Sequence, residues 1–90
     1  MSVEINIPTF LQHLTGDVKV VCVKGKTVGK CFADLIKQYP RLEERLYDKR
    51  GKLLKNLNVY VNGESAYPET LTKPVNDGDI IQIVYVVIGG

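Results

Sequence analysis

Metal-binding and redox chemistry have little to work with in this chain. Ninety residues include two cysteines and one histidine. Cys22 and Cys31 form no CxxC pair and His13 has no second histidine beside it, which argues against a zinc site. Both cysteines sit in apolar sequence and are expected as reduced, buried thiols. A net charge of +2 is too small to argue for nucleic acid or an anionic membrane as partner. No basic-then-apolar leader opens the chain, and the apolar run at its end is too short to span a bilayer. The expected location is cytoplasmic. Repeats, linkers and low-complexity stretches are absent.

What is present suits one small domain over residues 1–90, since a chain of this size buries only ~60–65% of its unfolded surface. Val3, Ile5 and Ile7 alternate with polar residues up to Pro8, predicting a half-buried strand. A connection over 9–16 leads to a second strand over 17–24. Its inward face is ambiguous, because Val18/Val20/Cys22 and Val21/Val23 both offer apolar sets. Thr27 suits a helix N-cap, and Val28, Cys31, Phe32, Leu35, Ile36 and Tyr39 recur at helical spacing until Pro40. Residues 41–56 are the least regular portion, anchored by Leu42, Leu46 and Leu53. Lys49-Arg50-Gly51-Lys52, with Lys55 close behind, reads as a solvated loop; contact with an acidic partner is the functional alternative. Leu57, Val59 and Val61 alternate into Asn62-Gly63, a strong hairpin signal, with a returning strand over 64–67. One helical turn over 69–72 and the Asn76-Asp77-Gly78-Asp79 turn precede the last strand.

That strand, Ile80 to Ile88, is apolar at nearly every position, as a strand flanked on both sides would be. Pairing it with the first strand puts two parallel strands at the centre under one helix. The predicted fold is α+β: a β-grasp (ubiquitin-like) mixed sheet with one main helix packed across one face. Gln82 fixes the register of the last strand. Ile81, Ile83 and Tyr85 should face the core, and Ile80 and Val84 should face away. Tyr60 joins them on the open face, with Val86 leading outward. Such a patch marks a partner site, so Tyr60, Ile80, Val84 and Val86 are the candidate docking residues.

Gly89-Gly90 follow the run. Glycine costs conformational entropy and packs nothing, so two in succession need a reason. One is that the terminal carboxylate of Gly90 must enter a channel too narrow for any Cβ. Val87, Ile88 and Gly89 then form a slim, flexible tail over 87–90, and Gly90 carries the reactive group. No catalytic residue is expected on the chain itself. His13 lacks a partner at a recognisable spacing, and Asp77 and Asp79 read as turn formers around Gly78.

Gly25-Lys26-Thr27-Val28, Asn58-Val59-Tyr60-Val61-Asn62-Gly63-Glu64 and Pro74-Val75-Asn76-Asp77-Gly78-Asp79 precede the apolar strand and Gly89-Gly90. Together these resemble the sulfur-carrier branch of the ubiquitin-like proteins, of the MoaD, ThiS and CysO type. The opening Ile5-Asn6-Ile7-Pro8-Thr9 and the long connection through Leu46 and Lys52-Leu53 look most like CysO-type carriers. Ile88 stands where family tails often hold a small residue. The resemblance implies a carrier without bound cofactor, not an enzyme. An ATP-using, ubiquitin-activating-like adenylating enzyme (MoeB/ThiF type) would convert Gly90 to an acyl-adenylate. A persulfide or sulfide would then displace AMP to leave a thiocarboxylate. A sulfur-accepting synthase, pyridoxal-phosphate dependent in the cysteine route, would take the sulfur, and a metalloprotease would release the product. The implied alternatives are the small subunit of molybdopterin synthase and a covalent protein modifier.

Overall fold

The computed structural model describes residues 2–86. Five strands form one sheet: β1 (Val3–Asn6), β2 (Val20–Val23), β3 (Leu57–Val61), β4 (Glu64–Ser65) and β5 (Ile80–Tyr85). Their spatial order is β2-β1-β5-β3-β4. The central pair β1 and β5 runs parallel, with Ile5 beside Ile81, while every other pairing is antiparallel. A parallel pair needs a long crossover, and it contains the main helix, α1 (Val28–Gln38). This is the β-grasp arrangement the strand order implied.

Helix α1 starts where the sequence places its cap. The Thr27 hydroxyl accepts the Lys30 amide at 3.2 Å, satisfying one of the orphan donors of the first turn. Gly25 is required for a different reason from simple chain punctuation. A Cβ there would lie 2.7 Å from the Cys31 nitrogen and 2.8 Å from the Lys30 carbonyl carbon. Only a residue without one lets β2 turn directly onto the helix. Val28, Cys31, Phe32 and Leu35 of α1 are fully buried against Val3, Ile5, Val21, Val23, Val59, Ile81 and Ile83 of the sheet. Period 3.6 on the helix meets period 2 on the strands, and one core results.

Several predicted bounds contract, each for a local reason. The second strand begins at Val20 rather than residue 17, because Gly16 and Asp17 adopt positive φ and Thr15 Oγ1 donates to the Val18 carbonyl at 2.8 Å. The same segment contains an unforeseen 3-10 helix, Thr9–Leu14, which buries Leu11 and Leu14. The short return strand ends at Ser65, whose hydroxyl accepts the Tyr67 amide and turns the chain away. At the hairpin between them, Asn62 and Gly63 have φ of 51° and 84°, the pair of positive values a type I′ turn needs.

One expectation about the cysteines is corrected. Cys31 is buried, but Cys22 is exposed. The ambiguous parity of β2 resolves with Val21 and Val23 inward, which leaves Val20 and Cys22 on the open face. Both thiols are free. Burial, reinforced by nearby Asp34, pushes the Cys31 thiol up to about 11, so it stays protonated.

After α1, a 3-10 turn (Pro40–Leu42) and a four-residue helix, α2 (Glu43–Leu46), bury Leu42 and Leu46. The chain then folds back on itself, with Tyr47 bridging Leu53 and the Leu54 amide donating to the Leu46 carbonyl at 2.9 Å. Among the described residues, no helix is long and apolar enough to cross a membrane.

Candidate functional site

The open face of the sheet is built by parity alone. Along β5 the inward Ile81 and Ile83 are 0% and 7% exposed, whereas Ile80 and Val84 are 38% and 42% exposed. Tyr60 on β3 sits opposite Gln82, and Val84 sits opposite Asn58. Tyr60 is therefore the diagonal neighbour of both Ile80 and Val84, which side chains of tyrosine length can span. The three candidate residues share one surface. Gln82, Asn6 and Asn58 punctuate it, so the apolar residues surround a polar centre. Across Asn6, Val20 of β2 adds a further exposed apolar residue that the ambiguous β2 pattern had left unassigned.

At the exit end of β5 the chain is fastened from three directions. The Tyr85 ring meets the Phe10 ring edge-on, with centroids 5.1 Å apart and planes at 77°. Its hydroxyl donates to the Arg45 carbonyl at 2.5 Å. One residue later, the Val86 amide donates to the Asn56 carbonyl at 2.7 Å. Burial pushes the Tyr85 phenol up to about 12, outweighing the Arg45 guanidinium, which pulls it down. The phenol is thus a neutral donor at physiological pH. Val86 itself is exposed, so it stands on the outside of this fastening.

The launch end of β5 is held by polar side chains instead. Asn62 accepts the Ile80 amide at 2.8 Å and donates to Asp79 at 2.9 Å. Asp79 also accepts the Asn76 amide at 2.8 Å, and Asp77 accepts the Ser2 amide at 2.6 Å. The Asn76 and Asn62 donors hold the Asp79 carboxyl below its ordinary value. Asp79 shapes the turn around Gly78, as its position implied, while Asp77 ties that turn to Ser2. His13 is exposed on the Thr9–Leu14 turn.

Of the candidates, Tyr60, Ile80, Val84 and Val86 have thus been placed. Val87, Ile88, Gly89 and Gly90, and with them the tail over 87–90, lie outside the described residues. Sequence reasoning missed Phe10, the Arg45 carbonyl and the Asn56 carbonyl. Phe10 gave a signal, as a large aromatic in a segment otherwise read as connection. The carbonyls gave none, because every residue has one.

A mixed sheet with one helix across it, and a central last strand leading to the chain's end, defines the ubiquitin-like β-grasp class. The ThiS family matches over residues 5–90. Among solved structures, CysO from Mycobacterium tuberculosis is 38% identical, covering 94% of this chain and 99% of that one, with a TM-score of 0.86. CysO in the Amycolatopsis orientalis BexX/CysO complex is 37% identical over 98% and 99% of the two chains, with a TM-score of 0.87. SAMP1 from Haloferax volcanii is 30% identical over 100% of both, with a TM-score of 0.85. No curated protein matches the chain. The chain belongs to the ThiS family and is a ubiquitin-like sulfur carrier, a class of small proteins that are not themselves enzymes.

Proposed function

We propose that this protein carries sulfur as a thiocarboxylate on Gly90 and delivers it in the biosynthesis of cysteine or a related thiol amino acid. The supporting observation is the family match through residue 90, joined to CysO relatives at 37% and 38% identity.

The chemistry follows from what a carboxylate lacks. It is anionic and its oxygen leaves poorly, so a sulfur nucleophile does not displace it. The Gly90 carboxylate attacks the α-phosphate of ATP in a partner adenylating enzyme, pyrophosphate leaves, and an acyl-adenylate forms. Sulfide attacks the acyl carbon, AMP leaves, and the thiocarboxylate remains. That group ionises readily and attacks a substrate held by the acceptor synthase. The carrier contributes no acid or base. It contributes position, raising the effective concentration of sulfur within the acceptor's site.

In this scheme the open face carrying Tyr60, Ile80 and Val84 docks the partner, and Val86 leads the tail toward it. That one CysO relative was solved in complex with BexX supports a protein partner in general. Gly89 keeps the tail thin enough for a channel lined closely around Gly90. A metalloprotease that frees the product completes the cycle.

Intact mass decides the matter. Incubation with ATP, sulfide and an adenylating enzyme is expected to exchange one oxygen for sulfur at the C-terminus. No exchange, with an enzyme that does convert another carrier, overturns the proposal. A second outcome is supported by the small archaeal modifier protein SAMP1, at 30% identity. Joining Gly90 to a lysine would leave Gly-Gly branches on other proteins, which peptide mass spectrometry detects.

A further inference from the structure

The basic loop singled out in the sequence has a position that the docking face does not explain. Residues 45–55 hold five of the twelve basic side chains, Arg45, Lys49, Arg50, Lys52 and Lys55, and one of the ten acidic ones, Asp48. This short stretch is net +4, whereas the whole chain is +2, so everything outside it is net negative. All five basic residues are exposed. The one acid is engaged locally: Asp48 Oδ1 accepts the amides of Arg50 and Lys52 at 2.8 and 3.0 Å. Glu43 and Glu44 precede the stretch on α2 and share a shallow hollow with Tyr47, Asp48, Lys49 and Gly51. Lys49 thus shares that hollow with the two glutamates, and Arg45, Arg50, Lys52 and Lys55 carry the remaining positive charge.

The stretch is folded, and its fold gives it direction. The Asp48 amide donates to the Lys52 carbonyl at 2.7 Å, and the Gly51 amide returns to the Asp48 carbonyl at 3.0 Å. Gly51 takes the positive φ of 80° that closes the turn. With the Tyr47–Leu53 bridge and the Leu54–Leu46 hydrogen bond, this is a small hairpin whose base is buried Leu46. Arg45 and Lys55 flank that base. The base is also where β5 exits: the Arg45 carbonyl holds Tyr85 and the Asn56 carbonyl holds Val86. The positive charge is therefore gathered around the root of the segment that leads to Gly90. At the other end of the sheet, the Glu4–Ile80 and Val3–Val23 pairings place the launch of β5 near Lys24 and Lys26.

We infer that Arg45 and Lys55, backed by Arg50 and Lys52, form a basic collar that docks against an acidic rim around the tail channel of the adenylating enzyme. This rests on the sulfur-carrier proposal and adds to it the charge of the partner surface and the side chains that meet it. The apolar open face supplies contact area, and the collar supplies steering and orientation as the tail enters. Electrostatic steering of this kind raises association rates by roughly 10- to 1,000-fold at low salt.

The test compares two double charge reversals that change net charge equally. Arg45→Glu/Lys55→Glu alters the collar, and Lys26→Glu/Lys30→Glu alters exposed lysines at the opposite end. Adenylation is followed by ATP–pyrophosphate exchange with carrier concentration varied. The collar variant is expected to lose about tenfold in kcat/KM at low salt. The loss should fall on KM with kcat unchanged, and should shrink below about twofold at ~1 M salt, where the screening length is ~3 Å. The opposite-end variant should stay within about twofold of wild type throughout, because its charges lie far from the exit. Arg50→Glu/Lys52→Glu, on the solvated hairpin tip, should show an intermediate loss and guards against misfolding at the base. Equal losses in collar and opposite-end variants, or none in the collar pair and the tip pair, overturn the inference while leaving the carrier proposal standing. Tight oligonucleotide binding by the free carrier, abolished by the collar variant, would also overturn it. Failure of wild type itself to be adenylated would overturn both.

Discussion

The two faces of strand β5 use nearly the same side chains for opposite purposes. Ile81 and Ile83 disappear beneath α1, while Ile80 and Val84, one residue away in each case, remain about two-fifths exposed at 38% and 42%. Composition does not distinguish them, since all four are β-branched and apolar. Parity does, because side chains alternate across a strand and a one-residue slip would exchange the two sets. Apolar area removed from water stabilises the fold at roughly 25 cal/mol per Å². Apolar area left in water contributes nothing until a partner covers it. The inner face holds the domain together, and the outer face is the surface proposed for docking.

The contrast can be broken most severely from the inside. Phe32→Ala on α1 removes the largest fully buried side chain, and should cost about 3–5 kcal/mol, lowering the urea midpoint sharply. Next comes the matched pair on β5. Ile81→Ala should cost about 2–5 kcal/mol, and Ile80→Ala within about 0.5 kcal/mol. Equal costs in chemical denaturation would refute the assignment of faces. In the proposed carrier reaction the order reverses: Ile80→Glu or Val84→Glu should weaken adenylation severalfold with the fold intact.

Tyr85→Phe sharpens the same comparison at the strand's exit. It removes the hydroxyl donor to the Arg45 carbonyl and keeps the ring against Phe10. A loss of about 0.5–1.5 kcal/mol is expected from one hydrogen bond, together with faster amide exchange at Val86. Unchanged exchange there would mean that the phenol does not hold the exit.

The smallest effect belongs to Asp79 at the launch end. Its folded pKa lies below the ordinary 3.8, because the Asn76 amide and Asn62 side chain stabilise the charged form. The stability this contributes is fully present above the ordinary value and is lost as pH falls through the folded one. Asp79→Asn should therefore be slightly less stable than wild type at pH 7. The gap should close in acid below the folded value, as urea midpoints at pH 7 and in acid would show. A gap that widens in acid would contradict the sign.

Much of this architecture is legible in the amino-acid sequence. Thr27 capped the helix it was assigned to, Gln82 set the parity of β5, and Asn62-Gly63 turned the hairpin, because each signal is local and carried by a side chain. Cys22 departs from expectation for a related reason. Apolar neighbours in sequence mark burial only when the strand's inward face is known, and both faces of β2 read as apolar. The fastening of β5 is legible only at Phe10, a large aromatic in a segment otherwise read as connection. It joins residues 10, 45, 56, 85 and 86 through a ring edge and two backbone carbonyls, and the carbonyls leave no pattern in a linear chain.

Periodicity and capping chemistry thus determined by themselves one helix and an apolar last strand fit for the centre of a sheet, parallel to the first strand if the two pair. The resemblance of the motifs pointed to a sulfur carrier. Only the tertiary structure decided that the basic hairpin and the end of β5 meet at one place. Long-range proximity depends on how packed layers bring distant segments together, and the spacing of residues along a chain does not encode it.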